Sequence, residues 1–130
     1  MEFASKPKVP VLLKPYVIAW EMRDAEALSK CFEEECVFIS PLINHTLNTR
    51  ESVRLYFDEL FSRLKNIKTH GSRFFVLGDS TLTVTELTVE NPSWGIGNYL
   101  MTTAQLQRFS KRGLITTMEV YTDVEAVVKV

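Results

Sequence analysis

The sequence places two carboxyl groups and a phenol at alternate positions near its C-terminal end, at Glu119, Tyr121 and Asp123. Side chains alternate between the two faces of a strand, so these three would point the same way from a regular strand. Inside an apolar cavity, two such carboxyl groups could hold different protonation states and transfer protons. On the outside of a sheet the same spacing forms an ordinary solvent face, with Met118 and Val120 in the core. The pattern alone leaves both orientations open.

Other chemistries leave no comparable trace in the sequence. Its two histidines, His45 and His70, are not spaced as ligands of one metal ion. Gly95 and Gly97 do not lie between a strand and a helix, so they do not form a nucleotide-binding loop. No Gly-x-Ser-x-Gly nucleophile motif occurs. We therefore expect no metal site and no organic cofactor.

Length and composition predict one folded domain. The chain has 130 residues, of which 45% are hydrophobic and 24% charged, which suits residues 10–130 as a single domain after a polar arm over residues 1–9. A net charge of −1 argues against nucleic acid or an anionic membrane as a partner. No apolar run approaches the roughly 20 residues that span a bilayer. We expect a cytoplasmic protein in which Cys31 and Cys36 stay reduced.

Three helices are predicted in the first half of the chain. The first begins at Pro10 or Pro15, since proline suits a first turn, and Asp24 is placed as the N-cap of the second. Asn48 and Glu51 have capping-box spacing for the third. The third helix carries an apolar stripe of Val53, Phe57, Leu60, Phe61 and Leu64. Aromatic residues on such a stripe belong to the core more often than to a ligand site.

The second half has the pattern of strands. A hairpin turns at residues 78–79, a long strand covers 94–109, and a last strand covers 114–128. The alternation of apolar residues slips by one at Glu86, which predicts a β-bulge there. Helices followed by meandering strands predict an α+β domain with an antiparallel sheet.

Three segments together resemble the SnoaL-like members of the nuclear transport factor 2-like superfamily. Residues 15–38 resemble the opening helices of that family, residues 48–60 its Gly-Arg-Glu-Ala-Ile helix start, and residues 108–123 its closing hairpin. The resemblance covers about residues 11–125. It implies a cone-shaped, curved antiparallel sheet packed against three N-terminal helices and enclosing an apolar pocket.

The resemblance also implies a candidate site. Asp123 matches the catalytic acid or base of SnoaL-type cyclases and limonene-epoxide-hydrolase-like enzymes. If Asp123 faces the pocket, Glu119 lies on the same strand face and is a second candidate catalytic group. Tyr16 matches the oxyanion tyrosine of ketosteroid isomerases. The candidate substrate-binding residues are Trp20, Ser40, His45, Phe57, Gln105 and Tyr121.

The sequence departs from two of the family's mechanisms. Ser40 stands at the position of the isomerase base, and Gln105 stands near the position of the isomerase's protonated acid. A middle strand offers Glu86 and Glu90 but lacks the Arg-x-Asp pair of the epoxide hydrolases. Neither mechanism is therefore carried over as a whole.

Two functions stay open on this reasoning. The first is a cofactor-independent enzyme that isomerises, cyclises, dehydrates or ring-opens a small apolar substrate of polyketide or terpenoid type. The second is a non-catalytic domain that binds a ligand or a protein partner. In either case we expect a homodimer through an apolar outer sheet face formed by Leu100, Leu106, Met118 and Val120.

Overall fold

The computed structural model describes residues 8–41, 43–122 and 126–130. Its helices are α1 (Lys14–Glu21), α2 (Ala25–Ser29) and α3 (Arg50–Arg63), and a short 3-10 turn (Val11–Leu13) precedes α1. Most of the predicted arm, residues 1–7, lies outside the described residues. No helix in the described ranges is both long and apolar enough to cross a membrane.

The strands form one sheet with the order β2-β1-β6-β5-β4-β3, and β7 pairs with β5. The strand β1 runs parallel to β6, and the other pairs are antiparallel. The predicted α+β class is confirmed, but the sheet is mixed, because the chain crosses over through α3 and the later strands before β6 returns beside β1. The strands are β1 (Phe32–Ile39), β2 (Leu47–Thr49), β3 (Lys65–Leu77), β4 (Ser80–Glu90), β5 (Tyr99–Phe109), β6 (Ile115–Thr122) and β7 (Val128–Lys129).

The helix starts are set by side-chain caps. Asp24 accepts a hydrogen bond from the backbone N–H three residues on, at 3.0 Å, as predicted. The N-cap of α3 is Thr49 rather than Asn48. The hydroxyl of Thr49 accepts from the backbone N–H of Ser52 at 3.1 Å, and the hydroxyl of Ser52 accepts from the backbone N–H of Thr49 at 3.2 Å. Serine thus completes the capping box that the sequence assigned to Glu51.

The main core lies between the helices and the concave face of the sheet. The stripe of α3 buries Val53, Phe57 and Leu60. Phe38 from β1 meets the ring of Phe57 edge-on, with ring centroids 5.6 Å apart. This aromatic packing fixes α3 over the sheet and leaves the neighbouring concave surface as the floor of a cavity.

The sequence predicts a β-bulge at Glu86 in β4, but the bulge lies in the neighbouring strand β3. The register between β4 and β5 is continuous, and the extra residue is His70 in β3, opposite the step from Glu86 to Leu87. The apparent slip in β4 has a different cause. Its inward positions change from threonine to apolar residues, because Thr81 and Thr83 are buried on the same face as Leu87.

Candidate functional site

A cavity of about 140 Å³ lies between the helices and the concave sheet face. An engineered cavity of about 150 Å³ holds benzene, so this volume suits a compact ligand. The helical wall is mostly apolar, with the phenols of Tyr16 and Tyr56 as polar groups, whereas the sheet wall carries hydroxyl and amide groups. The helical side includes Leu13, Val17, Trp20, Phe57 and Leu60, and the sheet side includes Ser72, Thr83, Thr85, Thr103, Gln105 and Thr122.

Tyr16 from α1 brings a phenol to the cavity wall. Its side chain is 2% exposed, and its hydroxyl hydrogen has no acceptor within the described residues. Burial raises the pKa of Tyr16 far above its ordinary value, and the nearby Gln105 side chain lowers it by a smaller amount. The phenol therefore stays protonated and has a hydrogen to donate to a ligand.

Gln105 is held by a buried amide network on β5. The hydroxyl of Thr81 donates to the Gln107 side-chain oxygen at 2.8 Å, and the Gln107 amide nitrogen donates to the Gln105 oxygen at 3.2 Å. Gln107 is fully buried. The Gln105 oxygen accepts this hydrogen bond, and the Gln105 amide nitrogen can donate towards Tyr16 or a ligand.

Ser40 and Tyr56 form another polar part of the wall. Ser40 follows β1, is 4% exposed and lines the cavity beside Tyr56. Burial raises the pKa of the Tyr56 hydroxyl, and its hydrogen bond with the Ser40 side chain partly offsets this rise. Ser40 thus lines the predicted site while its hydroxyl is engaged with a neighbouring phenol.

Trp20 and Arg23 line the cavity at the C-terminal end of α1. The Trp20 ring packs against Phe61 with centroids 5.0 Å apart, and the Arg23 guanidinium lies 5.2 Å from the Trp20 ring centroid. Arg23 also donates to the backbone oxygens of Trp20 at 2.9 Å and Ile67 at 3.0 Å. It therefore ties α1 to β3 and holds the indole in the wall.

The predicted inward orientation of Glu119 and Tyr121 is wrong. Val120 and Thr122 line the cavity instead. Tyr121 is 56% exposed, and its hydroxyl donates to Glu119 on the outer face. This hydrogen bond is the main reason that the pKa of Tyr121 is raised. Asp123, the third member of the predicted set, lies outside the described residues.

A β-bulge explains why the predicted face is reversed. Arg108 pairs with Thr117 and Phe109 pairs with Ile115, so Thr116 is an extra residue in β6. Regular alternation from the buried Ile115 would turn odd-numbered residues inward. The bulge instead turns even-numbered residues inward from Met118 onward, and Met118 is fully buried. The prediction that Met118 and Val120 lie on the outer sheet face is therefore also wrong.

His45 does not belong to the cavity wall that the structure describes. Its ring is exposed, and Nδ1 lies 3.2 Å from the Asn44 side-chain oxygen in the loop after β1. This loop turns the ring into solvent, and the predicted substrate contact stays a prediction. In the described ranges, no group of three or more His, Cys, Asp or Glu side chains is arranged to hold a metal ion.

Sequence reasoning places Tyr16, Trp20, Ser40, Phe57 and Gln105 at the site, and all five line the cavity. It misses the threonines of the sheet wall. The available signal was the alternation of threonine with apolar residues along β4, which resembles a solvent face unless the strand borders a polar cavity wall.

A comparison of the sequence with models of protein families identifies the family. Residues 13–118 match the model of the SnoaL-like domain. The chain belongs to the SnoaL-like family. A comparison with curated proteins found no match.

Solved structures share the fold of this SnoaL-like chain at low sequence identity. A Catenulispora acidiphila protein with a ketosteroid isomerase-like fold, in complex with trimethylamine, is 16% identical with a TM-score of 0.78, covering 90% of this chain and 88% of its own. A putative SnoaL-like polyketide cyclase from Shewanella denitrificans is 14% identical with a TM-score of 0.74, covering 88% and 89%. SalBIII, an epoxide hydrolase/cyclase-like enzyme in pyran ring formation in salinomycin, is 15% identical with a TM-score of 0.74, covering 92% and 93%.

Proposed function

We propose that this SnoaL-like chain is a cofactor-independent enzyme that transfers protons on a small, mainly apolar substrate bearing a carbonyl or similar acceptor oxygen. The observation that carries the proposal is the Tyr16 hydroxyl, which is buried in the cavity wall with no acceptor for its hydrogen among the described residues. A buried donor without a partner costs about 1–3 kcal/mol. A substrate oxygen would supply the missing acceptor.

Tyr16 would act as an electrophile towards the substrate oxygen. Negative charge develops on that oxygen when a proton leaves the adjacent carbon, and a fixed donor in an apolar cavity stabilises the charge. The Gln105 amide nitrogen would donate to the same oxygen, and the hydrogen bond from Gln107 to the Gln105 oxygen orients the amide. Loss of one such donor typically lowers kcat by about 10²–10³-fold.

We assign the proton-transferring carboxyl to Asp123, on its match to the catalytic acid or base of the SnoaL-type cyclases. Glu119 is excluded from this role because its side chain bonds Tyr121 on the outer face. Isomerisation, cyclisation, dehydration and ring opening share this proton transfer. The cyclase and the epoxide hydrolase/cyclase-like enzyme among the structural relatives make these reaction types reasonable candidates here.

A non-catalytic ligand-binding domain is the second candidate. The observation in its favour is that Glu21, an exposed residue, is the one carboxylate in the part of the cavity wall that the structure describes. A pocket without an interior acid would bind a ligand without moving a proton. The two candidates share the ligand class and differ in the role of Asp123.

Proton exchange separates the two candidates. The wild type is incubated with 3-cyclohexen-1-one in deuterium oxide, and deuterium incorporation and isomerisation are followed by NMR. We expect catalysed exchange that Asp123→Asn abolishes while binding of the ketone is retained. Glu119→Gln, a loss of the same charge four residues earlier on the outer face, serves as the matched control and should exchange at the wild-type rate. Binding without exchange in the wild type would favour the binding domain.

A further inference from the structure

We infer that the Thr83 hydroxyl forms a second hydrogen-bonding subsite in the cavity, which binds a second oxygen of the ligand. The inference rests on the proposed function, in which Tyr16 holds the first ligand oxygen. It narrows the ligand class to compact, mainly apolar molecules that carry two oxygen groups.

The Thr83 hydroxyl has the properties of an unfilled binding group. The side chain is 6% exposed and lines the cavity. Its oxygen is buried and has no hydrogen-bond partner within the described residues. A buried hydroxyl left unpaired costs free energy that a well-packed valine would not. The fold alone therefore gives no reason for threonine at this position.

The threonines on either side of Thr83 show the contrast. Both share its inward face of β4, two residues away in each direction. Thr81 donates to Gln107 at 2.8 Å, and Thr85 shares a hydrogen bond with Ser72 at 3.0 Å. These two hydroxyls serve the protein, whereas that of Thr83 faces the cavity without a partner in the described residues.

The sheet register places this hydroxyl beside the proposed first subsite. Thr83 pairs directly with Gln105 across β4 and β5, and directly opposed residues have Cβ atoms about 4.5–5.5 Å apart. Gln105 interacts in turn with Tyr16. A ligand whose first oxygen lies at Tyr16 therefore shares one cavity with the Thr83 hydroxyl, and a second oxygen on the same small ring is the simplest group to test there.

Thr122 offers the nearest competing position. Its hydroxyl is also buried without a partner in the described residues and lines the cavity. It lies on β6, opposite Thr103, one inward step further along the sheet. Thr122 therefore lies diagonally from Gln105 on the opposite side of β5 from Thr83, and the two positions are separable by mutation.

The test compares cyclohexanone, which has one oxygen, with 3-hydroxycyclohexanone and 4-hydroxycyclohexanone, which have two. Affinities are measured by ligand-observed NMR for the wild type, Thr83→Val, Thr122→Val and Thr85→Val. We expect at least one hydroxyketone to bind the wild type more tightly than cyclohexanone. Thr83→Val should lower the ratio of the hydroxyketone affinity to the cyclohexanone affinity roughly three- to ten-fold.

Several results would overturn the inference. The first is a wild type that binds neither hydroxyketone more tightly than cyclohexanone. The second is a preference for the hydroxyketone that survives in Thr83→Val. The third is a preference that is lost only in Thr122→Val. Thermal unfolding gives an independent check, because Thr83→Val should not lower Tm, whereas Thr85→Val leaves Ser72 unpaired and should lower it by about 3 °C. An equal fall in both variants would show that the Thr83 hydroxyl serves the fold.

The proposed function fails by a different result in the same assay. If Tyr16→Phe binds cyclohexanone as well as the wild type does, the first subsite is wrongly assigned. The Thr83→Val comparison still reports whether the second oxygen is recognised, since it depends on the ratio between two ligands.

Discussion

The amide nitrogen of Gln107 donates to the side-chain oxygen of Gln105 at 3.2 Å, so a fully buried residue orients a residue of the cavity wall. Gln107→Leu should leave both the Thr81 hydroxyl and the Gln105 oxygen without their present partner. We expect the free energy of unfolding in urea to fall by about 1–3 kcal/mol. Arg108→Leu, on the exposed face of the same strand, should change it by no more than about 0.5 kcal/mol. Equal stability of the two variants would show that the network contributes nothing.

The buried phenol of Tyr16 predicts a specific response to alkali. Its pKa is raised in the folded state by burial, so the unfolded chain ionises first, near the ordinary value of about 10. The stability that the neutral phenol permits is present below that pH and is lost as the pH rises above it. The free energy of unfolding of Tyr16→Phe, relative to that of the wild type, should therefore rise by about 1 kcal/mol between about pH 8 and pH 11. The free energies of unfolding are measured in urea at both pH values. The same difference between the variant and the wild type at both would contradict a buried Tyr16.

The thiol of Cys31 should react slowly at neutral pH. Burial raises the pKa of Cys31 to about 11, and the thiolate is the reactive form. In a Cys36→Ala background, the rate of alkylation by iodoacetamide should rise about ten-fold per pH unit from about pH 7 to pH 10. A rate that levels off near the ordinary thiol pKa of about 8.5 would show that Cys31 is not desolvated.

An apolar row crosses the outer face of the sheet and replaces the interface predicted from the sequence. Register places Phe75, Leu82, Leu106 and Ile39 in line across β3, β4, β5 and β1, with Glu119 between the last two. Phe75 and Ile39 are each 43% exposed. Exposed apolar surface of this kind is typical of an interface, and we expect a homodimer that buries this row.

Sedimentation tests the dimer directly. The wild type should sediment at twice its chain mass of 14.9 kDa, and Leu106→Arg should give the monomer. Leu55→Arg changes an exposed leucine on α3 and should leave the dimer intact. A monomeric wild type at tens of micromolar would refute the proposed assembly.

The sequence predicts those parts of the fold whose signals are local. The apolar stripe of α3 and the N-cap at Asp24 are both present as expected. The exact cap of α3 is displaced by one residue, because Asn48 and Thr49 are both good caps and the serine at position 52 decides between them. Local chemistry thus defines the helix closely, but not to the residue.

The face of β6 could not be predicted in the same way. Regular alternation from Ile115 turns Glu119 and Tyr121 inward, whereas the unpaired Thr116 reverses the phase. Such a bulge depends on how β5 and β6 pair across the sheet, and β6 itself contains no glycine or proline to mark it. Tyr16 and Gln105 were located because the family resemblance supplied the tertiary information that the local pattern lacks.

The carbonyl stretching frequency of bound cyclohexanone tests the central claim most directly. A hydrogen bond from the Tyr16 hydroxyl would polarise the carbonyl and shift its infrared absorption to lower wavenumber than in an apolar solvent. We predict this shift for ketone bound to the wild type and its loss, or a clear reduction, in Tyr16→Phe. The same frequency in both proteins, with the ketone bound in each, would contradict the assignment of Tyr16 as the donor to the ligand oxygen.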